Sequence, residues 1–218
     1  MKEIIVKKTV DFEVDGTGSN IAWEKMQWEP LTIVSRNTLP YRTRMKVLYS
    51  EKGIYTLVDC EDAKLNASKT NFLDDIYTED VVEMFIWTDE RHPLYFEYEI
   101  SPLNVELPIL VSNNDMGFFG WAPWHYDGER VIRKATSVRG GEKKPGAEIA
   151  GWTAEYFIPF ALFRGLPGSP PKSGDAWRVN VYRIDYDLGP KEATQWAWNP
   201  DTGGNFHDFR RFGRMIFE

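Results

Sequence analysis

An all-β fold, a sandwich or a barrel, is what this 218-residue sequence predicts, and three observations predict it. Apolar and polar residues alternate with period 2 in seven separate runs, the 3.6-residue periodicity of amphipathic helices is scarce, and clusters of Gly, Pro, Asn and Asp punctuate the runs. Many short strands separated by turns bury their apolar faces by stacking two sheets or by closing one on itself. No repeat of fixed period, low-complexity tract or linker interrupts the pattern, so residues 1–218 read as one domain.

The runs follow one another along the chain. "TRMKVLYS" (43–50) and "GIYTLVDCED" (53–62) are separated by "EKG", a hairpin signal. "DVVEMFIWT" (80–88) and "LYFEYEIS" (94–101) flank "DERHP". "WTAEYFIP" (152–159) follows "GGEKKPG", "AWRVNVYRID" (176–185) follows "GSPPKSGD", and "FGRMIF" (212–217) closes the chain after "NPDTGG". Two stretches are longer than a hairpin needs and read as aromatic loops. The first, 112–129, carries Phe118, Phe119, Trp121, Trp124 and Tyr126; the second is "WAWNPDTGGNFHDFRR" (196–211). Long loops on a β scaffold are where binding sites concentrate, although such rings also serve as lids over an open sheet end.

Composition narrows the function. The chain has 26 Lys and Arg against 33 Asp and Glu, a net charge of −7 without a basic block, which disfavours nucleic acid and anionic membranes as partners. No segment approaches the ~20 uninterrupted apolar residues of a membrane span. "MKEIIVKKTV" is too charged, and too short of an apolar core, to read as a signal peptide. The lone cysteine, Cys60, forms no disulfide framework and reads as a core residue. Aromatic content is high, with 9 Trp, 10 Tyr and 13 Phe, more than a core of this size requires.

The chemistry concentrates at Glu83, a carboxylate inside "VVEMFIW". Alternation puts Val82, Met84 and Ile86 on one face, the core, and Val81, Glu83, Phe85 and Trp87 on the other. In the next run Glu97 and Glu99 alternate against Phe96, Tyr98 and Ile100. Antiparallel pairing of the two runs would lay a carboxylate-bearing face across adjacent strands. Three readings follow: a ligand-binding acceptor, a structural ion pair with Arg183 or Arg44, or a glycoside hydrolase pairing Glu83 with Glu97 or Glu99. A jelly-roll hydrolase would show E-x-D-x-x-E, whereas "TEDVVE" places Thr78 where the first Glu belongs. His92, His125 and His207 lack metal-ligand spacing, and no nucleophile or nucleotide motif is present.

The series "VDGTGSNIAW" (14–23), "YTLVDCED", "DVVEMFI", "YFEYEISPLN", "GWTAEYFIPFALF", "GDAWRVNVYRID" and "FHDFRRFGRMIF" resembles the family 9 carbohydrate-binding modules and their DOMON-like relatives. That resemblance implies an antiparallel two-sheet β-sandwich, jelly-roll-like, without enzymatic activity, binding a plant-type glucan or xylan chain between two aromatic rings. It places the rings at Tyr77 and Phe206 and the hydroxyl-binding Glu at Glu83, with the family's arginine and glutamine positions falling at Glu99 and Tyr182. Arg183 is the candidate donor, although alternation lets only one of Tyr182 and Arg183 face a ligand. Haem is disfavoured, and no cofactor is required. Structural calcium is compatible with oxygen-rich segments such as "DCED" (59–62) and "NPDTGGN" (199–205). The resemblance favours a secreted or periplasmic setting; the oligomeric state is not readable.

Overall fold

The computed structural model describes residues 1–218 apart from 37, 115, 116, 125, 190 and 203 and the side chain of residue 202, so His125 lies outside the described residues. Fourteen strands carry the chain: β1 (Glu3–Lys8), β2 (Glu29–Pro30), β3 (Thr32–Ile33), β4 (Thr43–Tyr49), β5 (Gly53–Cys60), β6 (Val81–Trp87) and β7 (Leu94–Ile100) in the first half, then β8 (Glu106–Asn114), β9 (Gly117–Pro123), β10 (Arg133–Arg139), β11 (Gly151–Pro159), β12 (Ala176–Asp185), β13 (Thr194–Ala197) and β14 (Gly213–Phe217). Among the described residues the remaining regular structure is short 3-10 turns.

All seven sequence-predicted runs form strands, and the all-β expectation holds. The antiparallel two-sheet description is too simple. The strands join into one curled, mixed sheet in the order β10-β11-β5-β4-β1-β14-β12-β6-β7-β8-β9. The join is β1: Glu3 to Val6 pair in parallel with β14, and Lys7 and Lys8 pair in parallel with β4. Every other pairing is antiparallel.

The curl brings the two halves face to face over one main core. Thr56 on β5 donates its hydroxyl to the Met84 sulfur on β6 at 3.3 Å, and the Tyr98 and Tyr156 rings meet at 4.9 Å. Val82, Met84 and Ile86 lie in this core, as their alternation predicts. Cys60 is also buried here, its thiol pushed up to about 12 by burial.

Strands β5, β6 and β11 are buried at every position, so their outer faces are covered as well. Over β5 and β11 lies the segment 12–26. Phe12 stacks on Tyr55 at 4.1 Å, and the buried Glu155 carboxylate accepts from the backbone N–H groups of Asp15 (2.9 Å) and Gly16 (2.8 Å) and from Trp23 Nε1 (2.8 Å). Gly16 has φ +81°, and a Cβ there would stand 2.9 Å from the backbone of Ala135 and Thr136, so the strap can lie this close only with glycine. The motifs "VDGTGSNIAW" and "GWTAEYFIP" are therefore two sides of one contact. Over β6, β7 and β12 lies a second apolar cluster, covered by Phe206, Phe209 and Phe212 from the chain before β14.

The first aromatic loop is corrected. Residues 112–129 are largely the end of β8 and the edge strand β9, with a register shift between Ser112 and Asn113. Trp124 and Tyr126 pack against the main core in the manner of a lid, whereas Phe118, Phe119 and Trp121 stay exposed.

Candidate functional site

Sheet register builds the site. Glu83 on β6 stands directly opposite Tyr182 on β12 and Glu99 on β7, and Glu99 in turn opposes Leu107 on β8. One step along, Phe85 opposes Glu97, which opposes Ile109. Glu83, Glu97 and Glu99 thus share the outer face of two adjacent strands, β6 and β7, on the side away from the main core. They floor a cavity of about 410 Å³. Its walls come from three further elements: Tyr77 on the 3-10 turn Ile76–Thr78, Phe118 and Trp121 on β9, and Asn205, Phe206 and His207 from the covering segment.

The turn that presents Tyr77 is held by the start of β6. Asp80 is fully buried and accepts from the backbone N–H groups of Asn66 (2.7 Å) and Tyr186 (2.9 Å), and the Tyr186 hydroxyl donates to the Tyr77 carbonyl at 2.8 Å. Tyr77, Phe118 and Trp121 keep 39%, 45% and 44% of their surface exposed, so each offers ring area at the cavity mouth. Phe206 is nearly buried. It stacks on Tyr182 at 4.0 Å with 14° between the planes, and the Tyr182 hydroxyl donates to the Phe206 carbonyl at 3.0 Å. The Tyr182 ring therefore supports a wall from beneath and does not line the cavity.

Electrostatically the floor is unusual. Glu83, Glu97 and Glu99 are 3%, 3% and 1% exposed, and no Lys or Arg side chain is among the residues lining the cavity. Burial pushes the Glu83 carboxyl up to about 8. Burial followed by the charge of Glu83 raises Glu97, and burial followed by the charges of Glu83 and Glu97 raises Glu99. Glu97 Oε2 and Glu99 Oε2 accept no hydrogen bond from any described protein group. His207 offers no compensating charge: burial lowers it to about 4, so it is neutral near pH 7. Its Nδ1 lies 2.6 Å from the Tyr95 hydroxyl and 3.9 Å from Glu97 Oε2.

Among the six sequence-predicted site residues, Tyr77, Glu83, Glu99 and Phe206 come together at this cavity. Arg183 does not. It faces the opposite side of β12, fully buried, and donates to Asp62 (3.1 Å), Asp185 (2.6 Å), Thr43 Oγ1 (3.0 Å) and the Glu61 carbonyl (2.7 Å). Alternation forces the choice, because Tyr182 takes the cavity side. The ion-pair reading of Glu83 is also corrected, since Arg183 is held by Asp62 and Asp185 and Arg44 by Asp59 at 2.9 Å. Sequence reasoning did not assign Phe118, Trp121 or His207 to the site; the aromatic density of 112–129 and 196–211 was their one signal.

Asp62, Asp185 and Asp187 bring one carboxylate oxygen each within 4.8 Å of one another; Arg183 donates to Asp62 and Asp185, and Asp187 accepts from Tyr41 and Asn66. Asp59 is engaged elsewhere, by Arg44 and Arg139.

Comparison with known proteins agrees with this architecture. The family described as carbohydrate family 9 binding domain-like matches residues 14–218. An extracellular protein of Arthroderma benhamiae is 27% identical over 85% of this chain and 82% of its own length. The endo-1,4-beta-xylanase A of Thermoanaerobacterium saccharolyticum is 20% identical over 98% of the chain, which spans 17% of that enzyme's length. A solved family 9 carbohydrate-binding module from Caldicellulosiruptor kristjanssonii, in complex with cellotriose, superposes with a TM-score of 0.71 at 15% identity, covering 100% of this chain and 94% of the other.

Proposed function

This chain belongs to the carbohydrate family 9 binding domain-like family, and from that premise we propose that its cavity binds a carbohydrate without transforming it. The observation that carries the reading is the pairing of exposed ring faces with a polar floor. A pyranose presents an apolar C–H face that stacks on rings such as Tyr77, Phe118 and Trp121, at ~1–3 kcal/mol per ring by analogy with base stacking. Its hydroxyls need acceptors and donors, which Glu83, Glu99 and Asn205 supply. A volume of about 410 Å³ lies in the range of small-ligand sites, roughly 300–1,000 Å³. The proposed ligand class is a gluco- or xylo-oligosaccharide of plant type, clamped between Tyr77 and Trp121, with Phe206 closing the inner wall. The extracellular relative supports a secreted setting, and the xylanase relative supports a place in polysaccharide capture.

Hydrolysis by Glu83 with Glu97 or Glu99 is disfavoured by the direction of the charges. A glycosidase drives its two carboxyls apart, one protonated and one ionised. Here burial drives all three upward, and no cation lining the cavity holds one down. Isothermal titration against cello-, xylo- and manno-oligosaccharides should therefore give binding without product release. Tyr77→Ala and Trp121→Ala should each weaken it by about tenfold or more. A flat response across all sugars removes the reading.

We also propose that Asp62, Asp185 and Asp187 hold calcium when it is present. Their oxygens suit a hard cation. Arg183 already offsets part of their charge, so the ion would add to the stability of the fold and would not be indispensable to it. A melting temperature that rises with calcium and falls with chelator supports the assignment, and a melting temperature indifferent to both removes it.

A further inference from the structure

We propose that the cavity selects a carbohydrate bearing a free amino group, an ammonium at neutral pH, over its neutral counterpart. The inference rests on the carbohydrate reading above and deepens it.

Three observations carry it. First, three carboxylates floor a cavity that no Lys or Arg lines, and His207 stays neutral there. Second, Glu97 and Glu99 are buried, and apart from the hydrogen bond that their two carboxyls share, Oε2 of each has no donor among the described residues, while Glu83 and Glu99 stand directly opposite each other across the ladder. Burial disfavours ionising all three carboxyls together, and unsatisfied buried acceptors are costly, so the floor calls for a cation and donors from outside the protein. A hydroxyl brings one donor and no charge. An ammonium brings three donors and the missing positive charge. Third, the walls are aromatic, and the exposed faces of Tyr77, Phe118 and Trp121 attract a cation entering between them.

The pH dependence separates this mode from the neutral one. With the site empty, burial raises all three carboxyls, Glu83 to about 8, and so favours their protonated forms. A neutral sugar held by those carboxylic O–H donors loses them as pH rises, so its affinity falls or stays flat. An ammonium displaces the protons, so its affinity rises with pH as long as the amine remains charged. The other titratable groups facing the floor leave this sign unchanged. The phenols of Tyr77, Tyr95 and Tyr186 are all pushed up and stay neutral, the Tyr182 hydroxyl is engaged with the Phe206 carbonyl, His207 is neutral, and Asp75 adds negative charge.

The test is calorimetric titration of the full chain with chitosan trisaccharide, cellotriose and triacetylated chitotriose between about pH 5 and about pH 7. The expected result is that chitosan trisaccharide binds about tenfold tighter than the other two near neutrality, tightens as pH rises, and releases protons on binding. Glu99→Gln and Glu97→Gln, each checked by melting to be folded, should each narrow the preference for chitosan trisaccharide over cellotriose. Cellotriose binding as tightly as chitosan trisaccharide, or chitosan affinity that falls with pH, overturns the inference and leaves the carbohydrate reading standing. Absence of binding by all three sugars overturns both.

Discussion

Glu83 shows how much one carboxyl in a sheet face can decide. Its carboxyl is raised from 4.5 to about 8 by burial. Between those values the folded protein holds a proton that the unfolded chain has lost, so stability falls as pH rises through that window. Removing the ionisable group takes away Glu83's share of that dependence, leaving the shares of Glu97 and Glu99. Glu83→Gln is therefore expected to stabilise the protein at about pH 8 by on the order of a few kcal/mol, with little effect near pH 4, as read by urea unfolding at both values. A uniform loss of stability across pH would instead mean that the carboxyl makes an essential bond in the fold. Glu83 was legible as a site candidate because a carboxylate stands inside an otherwise apolar strand run, whereas Tyr77 and Phe206 were placed by the family resemblance. Arg183 was misplaced because alternation shows that it and Tyr182 face opposite ways, but not which side carries the cavity. The buried Asp62 and Asp185 decide that: Asp185 is two residues along the same strand, and the curl of the sheet brings Asp62 from 121 positions away.

At the scale of elements, each outer face of the sheet is closed by an irregular segment, and the two closures do different work. The strap over β5 and β11 is sealed by Glu155; the segment over β6, β7 and β12 stands off the carboxylates. Gly16→Ala should destabilise the first closure by about 2 kcal/mol or more, from left-handed backbone strain and the contact with Ala135 and Thr136, without altering sugar affinity. Thermal melting and titration of the same variant check both halves of that expectation. Strands with strict alternation were readable from the sequence. The pair β8 and β9 was not, since Asn113, Asn114, Gly117, Gly120 and Pro123 weaken strand propensity and a register shift breaks the period. Phe118 and Trp121 were missed as wall residues for the same reason, because a loop reading gives no partner strand to position them.

For the whole molecule, β1 is the piece that composition and periodicity could not supply. Six residues near the start pair in parallel with both β14 and β4, and so join the half that holds the cavity to the half that backs it. Parallel pairing to the last strand of the chain is non-local and leaves no local sequence signal. Periodicity and turn signals supplied the all-β class and the family resemblance the carbohydrate expectation, while the register of β6 against β7 fixes which carboxylates meet on the cavity floor. The most direct measurement of the central claim is a crystal structure of the chain with the tightest-binding oligosaccharide. A sugar ring is expected against Tyr77 and Trp121, with a substituent within hydrogen-bond distance of Glu83 or Glu99. A sugar bound elsewhere on the surface, with the cavity holding only water, would contradict it.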